Sequence, residues 1–401
     1  MNRVFITGAC RTPIGKMGGA LASVSAVDLG ALVIRESLKR SGITADKIDH
    51  VYMGCVIQAG LGQNVARQAA IKAGLPVTTT AQTVNIVCGS GLDAVNSAAR
   101  LIQSGEADIV IAGGMESMSQ APFSLKNARF GYRLGSPMMD TPLVDTMVND
   151  ALWDAINNYH MGVTAENIVE RWGITRRELD VFAVESQNKA NAAVANGRFK
   201  DEIVPVIIKS RKGENVIDTD EGPRLGTTIE TLSKLKPAFK QGGTVTAGNS
   251  SGINDGAAAV ILISEDKIKE LELIPQVEWI GGALGGVDPA IMGIGPVEST
   301  RKLFRKLGMT IDDIDLVEGN EAFAAQSIAV KRELNIPDGK LNVNEGAIAL
   351  GHPVGASGCR ILVTLIYAMK QKNAINGLAM LCIGGGMGCS TVIKSYREVD
   401  K

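Results

Sequence analysis

The hydrophobic positions of the chain predict short strands that lead directly into helices. RVFITGA, from Arg3, and AAAVILIS, from Ala257, are apolar runs typical of buried strands. After Cys88, apolar residues recur at helical spacing, at Leu92, Val95, Ala99 and Ile102. ILVTLIYAM, from Ile361, is apolar on nearly every face, which indicates a helix buried between sheets. Strands that alternate with helices in this way predict an α/β fold.

Two parts of the chain repeat one pattern. SGITADKIDHVYMG, from Ser41, aligns with LGMTIDDIDLVEGN, from Leu307, and CGSG from Cys88 corresponds to GASG from Gly355. ADIVIAGGM then corresponds to LAMLCIGGGMG. Repeats of this length are unlike those of solenoids, so the pattern predicts a duplicated domain whose two copies build one site between them.

The place where the repeat is interrupted predicts the domain organisation. The predicted parts are the first copy at 1–118 with a returning strand at 249–272, an inserted substrate-covering domain at 119–248, and the second copy at 273–401. Within the insertion, Thr175 and Glu178 fit a helix capping box, and Gly197 is placed to end the helix that follows.

Composition narrows the class of protein. At 401 residues and 45% apolar, the chain can bury large cores, and a net charge of −1 gives no global field for nucleic acid or membrane. Six cysteines form no disulfide framework, and three scattered histidines without CxxC pairs make a metal site unexpected. No apolar run approaches the roughly 18 residues of a membrane span, and no leader precedes the first strand, so we expect a cytoplasmic protein.

Cys88 is a candidate nucleophile because of its position. It ends the apolar run VNIVC and precedes Gly-Ser-Gly and a predicted helix. Backbone N–H groups at a helix N-terminus are unpaired and carry partial positive charge, so they favour a thiolate and can bind an oxyanion. A lone cysteine is more often a buried packing residue. Partners elsewhere in the chain decide between these interpretations.

His352 and Cys382 are the candidate partners. His352 precedes Pro353, which favours extended geometry, in a glycine-framed loop ahead of an apolar helix. With only three histidines in the chain, one at this position is better explained as a base than as core filling. GLAMLCIGGGMGCS predicts a strand of about six residues that ends at Cys382, after which the glycines from Gly384 leave backbone amides open to a ligand. The run lacks the helix and acidic residue of a dinucleotide site.

Four segments together resemble the motifs of the thiolase family, and the resemblance covers essentially the whole chain. VNIVCGSGLDAVN resembles the nucleophile motif, GNEAFAAQ the asparagine motif, NEGAIALGHPVGASG the histidine motif and CIGGGMG the second-cysteine motif, in the family's order. LWDAINNYHMGVTAENIVERW and TVTAGNSSGINDGAAAV are similar to the short-chain biosynthetic branch, the acetyl-CoA acetyltransferases. The resemblance implies the thiolase fold, with duplicated αβαβα halves and an inserted loop domain.

The resemblance also implies a reaction and a role for each catalytic residue. Cys88 would carry an acetyl group taken from acetyl-CoA, and Cys382 would exchange the α-proton of a second acetyl-CoA, giving acetoacetyl-CoA and CoA reversibly. His352 would take the Cys88 proton and, with a water held by Asn320, serve the substrate oxygen. The N–H groups of Cys88 and Gly384 would serve the acetyl-enzyme oxygen.

Further positions match substrate contacts of the family. Leu152, His160 and Met161 would line the pantetheine and acyl pocket, where a bulky Met161 keeps the acyl chain short, unless Met161 is a core residue. The remaining matches are Arg224 near the CoA adenine and ribose phosphate, Phe239 as a wall, Ala247 and Ser251 beside the pantetheine arm, and Ala322 and Phe323 at the floor near the thioester.

The resemblance limits the partners that we expect. The substrates would be coenzyme A thioesters, with no cofactor beyond them, no metal, no nucleic acid and no membrane. A homotetramer is expected, with the segment from Ser119 to Gly135 as the contact between dimers. Basic runs at Lys209 and Lys234 could help hold phosphates, although neighbouring acids favour a solvated face instead.

Several alternatives stay open at this point. Asn320 could be a helix cap, and Glu345 replaces a glycine of the family pattern, where a positive φ would cost on the order of 1 kcal/mol and shift His352. A degradative 3-ketoacyl-CoA thiolase would use the same residues on longer chains. A non-catalytic acyl-CoA or lipid-binding relative would lack one of the four catalytic side chains, and a cysteine hydrolase would give Cys382 no task.

Overall fold

The computed structural model describes residues 2–132, 143–211, 213–344 and 346–396. The strands are β1 Val4–Arg11, β2 Gly15–Lys16, β3 His50–Gly54, β4 Thr80–Val84, β5 Ile109–Ser117, β6 Phe123–Leu125, β7 Leu143–Asp145, β8 Trp153–Asp154, β9 Tyr159–His160, β10 Val206–Ser210, β11 Gly213–Ile217, β12 Asn254–Ser264, β13 Val277–Gly286, β14 Leu316–Gly319, β15 Asn376–Ile383 and β16 Met387–Ser395. The helices are α1 Ala26–Ser41, α2 Val65–Lys72, α3 Ser90–Gln103, α4 Met161–Trp172, α5 Arg176–Ala195, α6 Ile229–Ser233, α7 Glu265–Glu270, α8 Gly295–Leu307, α9 Ala324–Glu333, α10 Ala347–Leu350 and α11 Val354–Lys372.

One large mixed sheet joins the two copies of the repeat. Its strand order is β14-β15-β16-β13-β1-β12-β5-β3-β4, with β2 beside β12. On either side of the junction between β13 and β1 the order is mirrored, since β16, β15 and β14 follow β13 as β12, β5 and β3 follow β1. The α/β prediction is therefore confirmed, and the duplication read from the sequence has a counterpart in the sheet.

Helices cover both faces of this sheet, and two of them, α3 and α11, pack together against strands of both copies. One core packs α3 and α11 against β1, β5, β12 and β15, and Leu92, Val95, Ala99 and Ile102 are all fully buried in it. In α11 every side chain from Val354 to Met369 is buried, as the all-apolar pattern predicted. Two further cores hold α1 and α2, and α4 with α8 and α9, against the outer faces.

The segment between β5 and β12 carries the elements that will form one wall of a cavity. The chain leaves the large sheet after Ser117 and returns to it at Asn254, beside the strand that it left. The capping box of Thr175 and Glu178 begins α5, and Gly197 follows its end with φ 66°, so both helix signals are confirmed. The domain boundaries at 118, 248 and 272 stay predictions. Among the described residues, no helix is both long and apolar enough to cross a membrane.

A buried ionic cluster fastens this segment to the first strand. Arg11, at the end of β1, is fully buried and donates to Glu202 and to both carboxylate oxygens of Asp220, at 2.7 and 2.9 Å. Burial alone would lower the pKa of Arg11, but the two carboxylates raise it above its usual value. Thr364 of α11 donates to the same Glu202 carboxylate at 3.0 Å, so the cluster also reaches the central helix.

We predict that Arg11→Met destabilises the protein strongly. The substitution removes the guanidinium that pairs with the buried carboxylates of Glu202 and Asp220, and breaking a buried pair typically costs about 3–5 kcal/mol. Thermal unfolding followed by circular dichroism measures the change. Lys209→Met is the matched control, because its ion pair with Glu214 is exposed and contributes little. Equal shifts in unfolding temperature for the two variants would contradict a structural role for the buried cluster.

Candidate active site

The two central helices meet at their N-terminal ends through glycine. A Cβ on Gly91, in the first turn of α3, would lie 2.8 Å from the backbone nitrogen of Cys359 in α11. A Cβ on Gly358 would meet the backbone of Leu92 in α3 even more closely. The backbones therefore touch with no side chain between them. Because Cys88 and His352 each precede one of these helices, the contact brings their loops to the same end of the fold.

A strained turn presents Cys88. Val87 has a positive φ of 52°, which is uncommon for a β-branched residue. The turn is held by Ser90, whose hydroxyl donates to the Val87 carbonyl at 2.6 Å and accepts from the Ile86 N–H at 3.0 Å. α3 begins at Ser90, so the glycine-serine-glycine sequence forms the first turn of the helix rather than a loop ahead of it.

Burial sets the protonation state of Cys88. The side chain is half-buried, and its removal from water raises the pKa of the thiol to about 11. The N–H groups of Gly384 and of Cys88 itself donate to the sulfur and act in the opposite direction. These donors favour the thiolate, as expected at a helix terminus, but burial acts more strongly in the opposite direction.

His352 is fixed from two sides. The backbone N–H of His352 donates to the Asn254 side-chain oxygen at 2.9 Å. The ring Nδ1 lies 2.6 Å from the hydroxyl of Ser357, in the first turn of α11. Burial, aided by the positive charge of Arg360, lowers the pKa of His352 to about 3. The imidazole is consequently neutral at physiological pH.

The surrounding hydrogen bonds determine which imidazole nitrogen carries the hydrogen. The Ser357 hydroxyl donates to the Pro353 carbonyl at 2.9 Å, so its oxygen is left to accept from Nδ1–H of His352. Nε2 then carries a lone pair and lies 3.5 Å from the Asn320 side-chain nitrogen. The Asn320 Oδ1 is buried with no hydrogen-bond partner among the described residues. This end of the site thus offers a base and an unsatisfied amide together.

The second cysteine lies behind the first. Cys382 is fully buried near the end of β15, which continues one residue beyond the predicted end, to Ile383. Burial raises the pKa of its thiol, and the proximity of Cys88 raises it further. Gly384 follows the strand and reaches the Cys88 sulfur with its N–H. The two thiols and this amide therefore form one group.

One cavity of about 510 Å³ collects most of the predicted site. Its lining includes Cys88, His352 and Gly384, with Asn320 and Cys382 behind it. All nine predicted substrate contacts also line it: Leu152, His160, Met161, Arg224, Phe239, Ala247, Ser251, Ala322 and Phe323. The volume and the mixed apolar and polar lining are typical of a small-molecule site. The roles of these nine residues in substrate binding stay predictions.

The wall opposite the thiol is built from stacked rings. His160 stacks on Phe239 with ring centroids 4.7 Å apart, and Phe323 meets Phe239 edge-on. The Gly162 N–H donates to Nδ1 of His160 at 3.0 Å, so the neutral ring carries its hydrogen on Nε2. Met161 lines the cavity and also belongs to a buried core, so both interpretations of this residue hold.

The remaining expectations concern Asn320 as a helix cap, the two basic runs, Glu345 and a metal site. α9 begins at Ala324 with Phe323 as its N-cap, so the interpretation of Asn320 as a helix cap is wrong. Among the described residues, the basic runs at Lys209 and Lys234 contribute no charged side chain to the cavity. Glu345, the departure from the family pattern, lies outside the described residues. Among those described, no group of three or more His, Cys, Asp or Glu side chains could hold a metal ion.

Sequence reasoning missed the residues that hold the catalytic loops. Asn254 and Ser357 position His352, as described above. Glu116, fully buried at the end of β5, accepts from the Gly355 N–H at 2.8 Å and from the Val56 and Ile57 N–H groups at 3.0 and 3.1 Å. It therefore ties the first turn of α11 to the loop after β3. An acid inside the apolar run IVIAGGMES was the available signal.

Comparisons with known proteins agree with this geometry. The family models described as "Thiolase, N-terminal domain" and "Thiolase, C-terminal domain" match residues 4–266 and 273–395. The chain is 57% identical to an acetyl-CoA acetyltransferase of Syntrophomonas wolfei, over 98% of this chain and 99% of that protein. The solved Bacillus anthracis acetyl-CoA acetyltransferase superposes with a TM-score of 0.96 at 45% identity, covering 99% of both chains. Human mitochondrial 3-ketoacyl-CoA thiolase gives 0.95 at 41% identity, covering 98% of this chain and 99% of its own.

We predict that Ser357→Ala slows alkylation of Cys88. Without the hydroxyl, Nδ1 loses its partner and Nε2 is no longer held as the base, an effect of roughly tenfold or more. The rate of reaction with iodoacetamide at neutral pH, followed by peptide mass spectrometry, measures it. Thr364→Val is the matched control, since it removes another buried hydroxyl of α11 that does not line the cavity. Equal slowing in both variants would mean that helix packing, and not the imidazole, is affected.

Proposed function

The chain belongs to the thiolase family, and from this premise we infer that it is an acetyl-CoA C-acetyltransferase, which joins two molecules of acetyl-CoA into acetoacetyl-CoA and CoA, reversibly. The observation that carries the proposal is the group of two thiols, one neutral imidazole and one backbone donor at the end of a single cavity. Each of these groups has a task in a two-step acyl transfer. The proposed chemistry calls for no cofactor beyond the coenzyme A thioesters themselves.

In the first step Cys88 is the nucleophile. Its proton passes to Nε2 of His352 while the sulfur attacks the carbonyl carbon of acetyl-CoA. The bond to the coenzyme A sulfur then breaks, and that sulfur takes the proton from His352 and leaves as CoA. Acetyl-Cys88 and a neutral imidazole remain. The N–H groups of Cys88 and Gly384, which reach the Cys88 sulfur in the free protein, are available to the acetyl oxygen.

In the second step Cys382 is the base. Its thiol first gives its proton to Nε2 of His352, and the resulting thiolate takes an α-proton from a second acetyl-CoA. The carbanion so formed attacks the carbonyl of acetyl-Cys88. The bond to Cys88 breaks, acetoacetyl-CoA is released, and the proton on His352 passes to the Cys88 thiolate, so both thiols and the neutral imidazole are restored. The negative charge on the thioester oxygen of the carbanion needs donors, and the Asn320 amide beside Nε2 of His352 supports that assignment.

Ser357 supports both tasks of His352. In the first step Nε2 must accept a proton, which requires hydrogen on Nδ1. In the second step Nε2 must donate to the thioester oxygen, and the proton that it received from Cys382 makes this possible. The Ser357 hydroxyl donates to the Pro353 carbonyl, so its oxygen can accept from Nδ1–H in both steps. A purely apolar neighbour could not hold Nδ1–H in this way.

Side chains at the closed end support short acyl groups. Met161 and Met292 line the cavity, and a Cβ on Gly384 would lie 2.7 Å from the Met161 Cε. The space beside Gly384 is therefore already filled by Met161. This favours the acetyl and acetoacetyl substrates over those of a degradative 3-ketoacyl-CoA thiolase. A non-catalytic carrier would not need all four catalytic side chains, and a cysteine hydrolase would have no use for Cys382.

We predict that the protein cleaves acetoacetyl-CoA with CoA, with rates that fall from 3-ketohexanoyl-CoA to longer chains. Loss of the enolate absorbance measures the reaction. Cys88→Ala removes the acyl carrier and should lower kcat by roughly a thousandfold or more. Cys382→Ser should still take label from acetyl-CoA onto Cys88 but not form acetoacetyl-CoA.

Cys389→Ser is the matched control for these variants, because Cys389 is also a buried thiol of the second copy but has no part in the proposed reaction. It should retain activity. No cleavage of any chain length by the folded wild type would overturn the enzyme assignment, and faster cleavage of long chains would favour the degradative alternative.

The assembly is proposed to be a homotetramer, a dimer of dimers. β6, within the segment predicted from the sequence, pairs with β7, which lies beyond that segment. Phe123 and Phe130 of the segment are exposed to 62% and 82%, and Leu143 of β7 is exposed to 63%. Large apolar side chains clustered in this way are typical of interaction surfaces. Residues 133–135 of that segment lie outside the described part. A cytoplasmic location is proposed as well, because six unpaired thiols suit a reducing compartment.

We predict that Phe123→Ser combined with Phe130→Ser converts the assembly from four chains to two. The reason is that the apolar contact between dimers is lost, whereas the rest of the fold keeps its cores. Light scattering after gel filtration measures the mass. Ile207→Ser is the control, since Ile207 is also an exposed apolar residue of a hairpin but lies outside this segment. A tetramer that persists in the double variant would place the contact elsewhere.

A further inference from the structure

Lys16 and Arg224 are the charged side chains at the mouth of the cavity. Apart from the neutral His160 and His352, the other described lining residues carry no ionisable side chain except the thiol of Cys88. No carboxylate lines the cavity within the described chain. Both cations are exposed, whereas Cys88 and His352 lie inward. The cavity is thus electropositive at its open end and nearly neutral at its closed end.

From this asymmetry we propose that Lys16 binds a phosphate group of the coenzyme A moiety, next to the predicted contact of Arg224. The proposal rests on the function proposed above, since coenzyme A places its phosphates at the end remote from the thioester. Lys16 was not among the contacts implied by the family resemblance. It comes instead from the first copy of the repeat, whereas Arg224 belongs to the inserted segment.

The backbone around Lys16 is held firmly. Its N–H donates to the Glu221 carboxylate at 2.9 Å, and the Ala20 N–H donates to both oxygens of the same carboxylate at 3.0 and 3.1 Å. β2 also pairs with β12 through Lys16 and Asn254, so the strand bearing Lys16 is anchored to the residue that fixes His352. A lysine on a fixed backbone loses less conformational freedom when it binds an anion.

The same bonds bring the two cations to one rim. Glu221, which anchors Lys16, precedes Arg224 by three residues, and its own N–H donates to the Ile14 carbonyl at 3.0 Å. The Arg224 N–H in turn donates to the Gln187 side chain, another lining residue. The segments of Lys16 and Arg224 therefore run side by side at the mouth.

Other lysines of the surface differ from Lys16 in their partners. Lys209 forms an ion pair with Glu214 at 3.3 Å, and Lys240 pairs with Glu170. Glu221 is the acid nearest to Lys16 through the backbone, but it does not line the cavity, and backbone N–H groups occupy its oxygens. Lys16 forms no ion pair among the described residues, so its ammonium group is available to an anionic ligand.

The test compares thioesters that differ only in their phosphates. Cleavage of acetoacetyl-CoA, acetoacetyl-3′-dephospho-CoA and S-acetoacetyl-pantetheine is measured at a fixed CoA concentration, so that kcat/KM reports on the varied thioester. For Lys16→Gln we expect kcat/KM for the CoA thioester, relative to that for the pantetheine thioester, to fall roughly two- to fivefold, the size of an exposed ion pair. Added salt should shrink the difference. Lys16→Arg should largely restore the ratio.

The three substrates separate the outcomes. Loss of the effect with the 3′-dephospho thioester would identify the 3′-phosphate as the ligand, and its persistence would identify the pyrophosphate. Lys209→Gln is the matched control for a change in net charge, and it should leave the ratio at its wild-type value. An unchanged ratio in Lys16→Gln, or an equal loss on all three thioesters, would overturn the proposal. Absence of cleavage by the wild type would instead overturn the function on which it rests.

Discussion

The contact between the backbones of α3 and α11 is the constraint on which the site depends. Gly91 and Gly358 allow the two helices to touch at their first turns, and a side chain at either position would meet the backbone of the other helix. Gly91 and Gly358, which occupy corresponding positions of the two copies, thus each make room for the helix of the other copy. The GSG and ASG sequences look like ligand-binding loops, but their glycines are used for packing. Cys88 and His352 line the same cavity because each lies in the segment that leads into one of these helices.

Close packing at this contact has an electrostatic consequence. It removes both catalytic groups from water, and burial favours the neutral form of each, with a pKa of about 11 for Cys88 and about 3 for His352. The free protein therefore does not store an ion pair of thiolate and imidazolium. In the proposed reaction the thiolate forms only as the sulfur attacks, when charge moves onto an oxygen that backbone donors can stabilise. A neutral resting site also protects the nucleophile from oxidation, since the thiolate is the reactive form.

Much of the fold and of the site could be predicted from the sequence, for identifiable reasons. The helix after Cys88 and the buried helix α11 follow from periodicity, and the cap of α5 follows from Thr175 and Glu178. The substrate contacts came from family resemblance, not from pattern. The protonation state of Cys88 could not be predicted, because local sequence shows the helix terminus but not how deeply tertiary packing buries the sulfur. The hydrogen bond that holds His352 to Asn254 could not be predicted either, since Asn254 lies 98 residues away along the chain.

The choice of acyl chain has to lie in side chains, because the fold does not distinguish the two branches. An acetyl-CoA acetyltransferase and a 3-ketoacyl-CoA thiolase superpose on this chain almost equally, with TM-scores of 0.96 and 0.95. In this chain Met161 and Met292 line the cavity, and Met161 fills the space beside Gly384. Methionine is flexible and polarisable, so such a wall yields gradually and not at a sharp limit. A longer chain can enter only if these side chains leave their rotamers, and each added methylene raises that cost. Selectivity built in this way is a graded preference for short chains, whereas a backbone wall would give a cut-off.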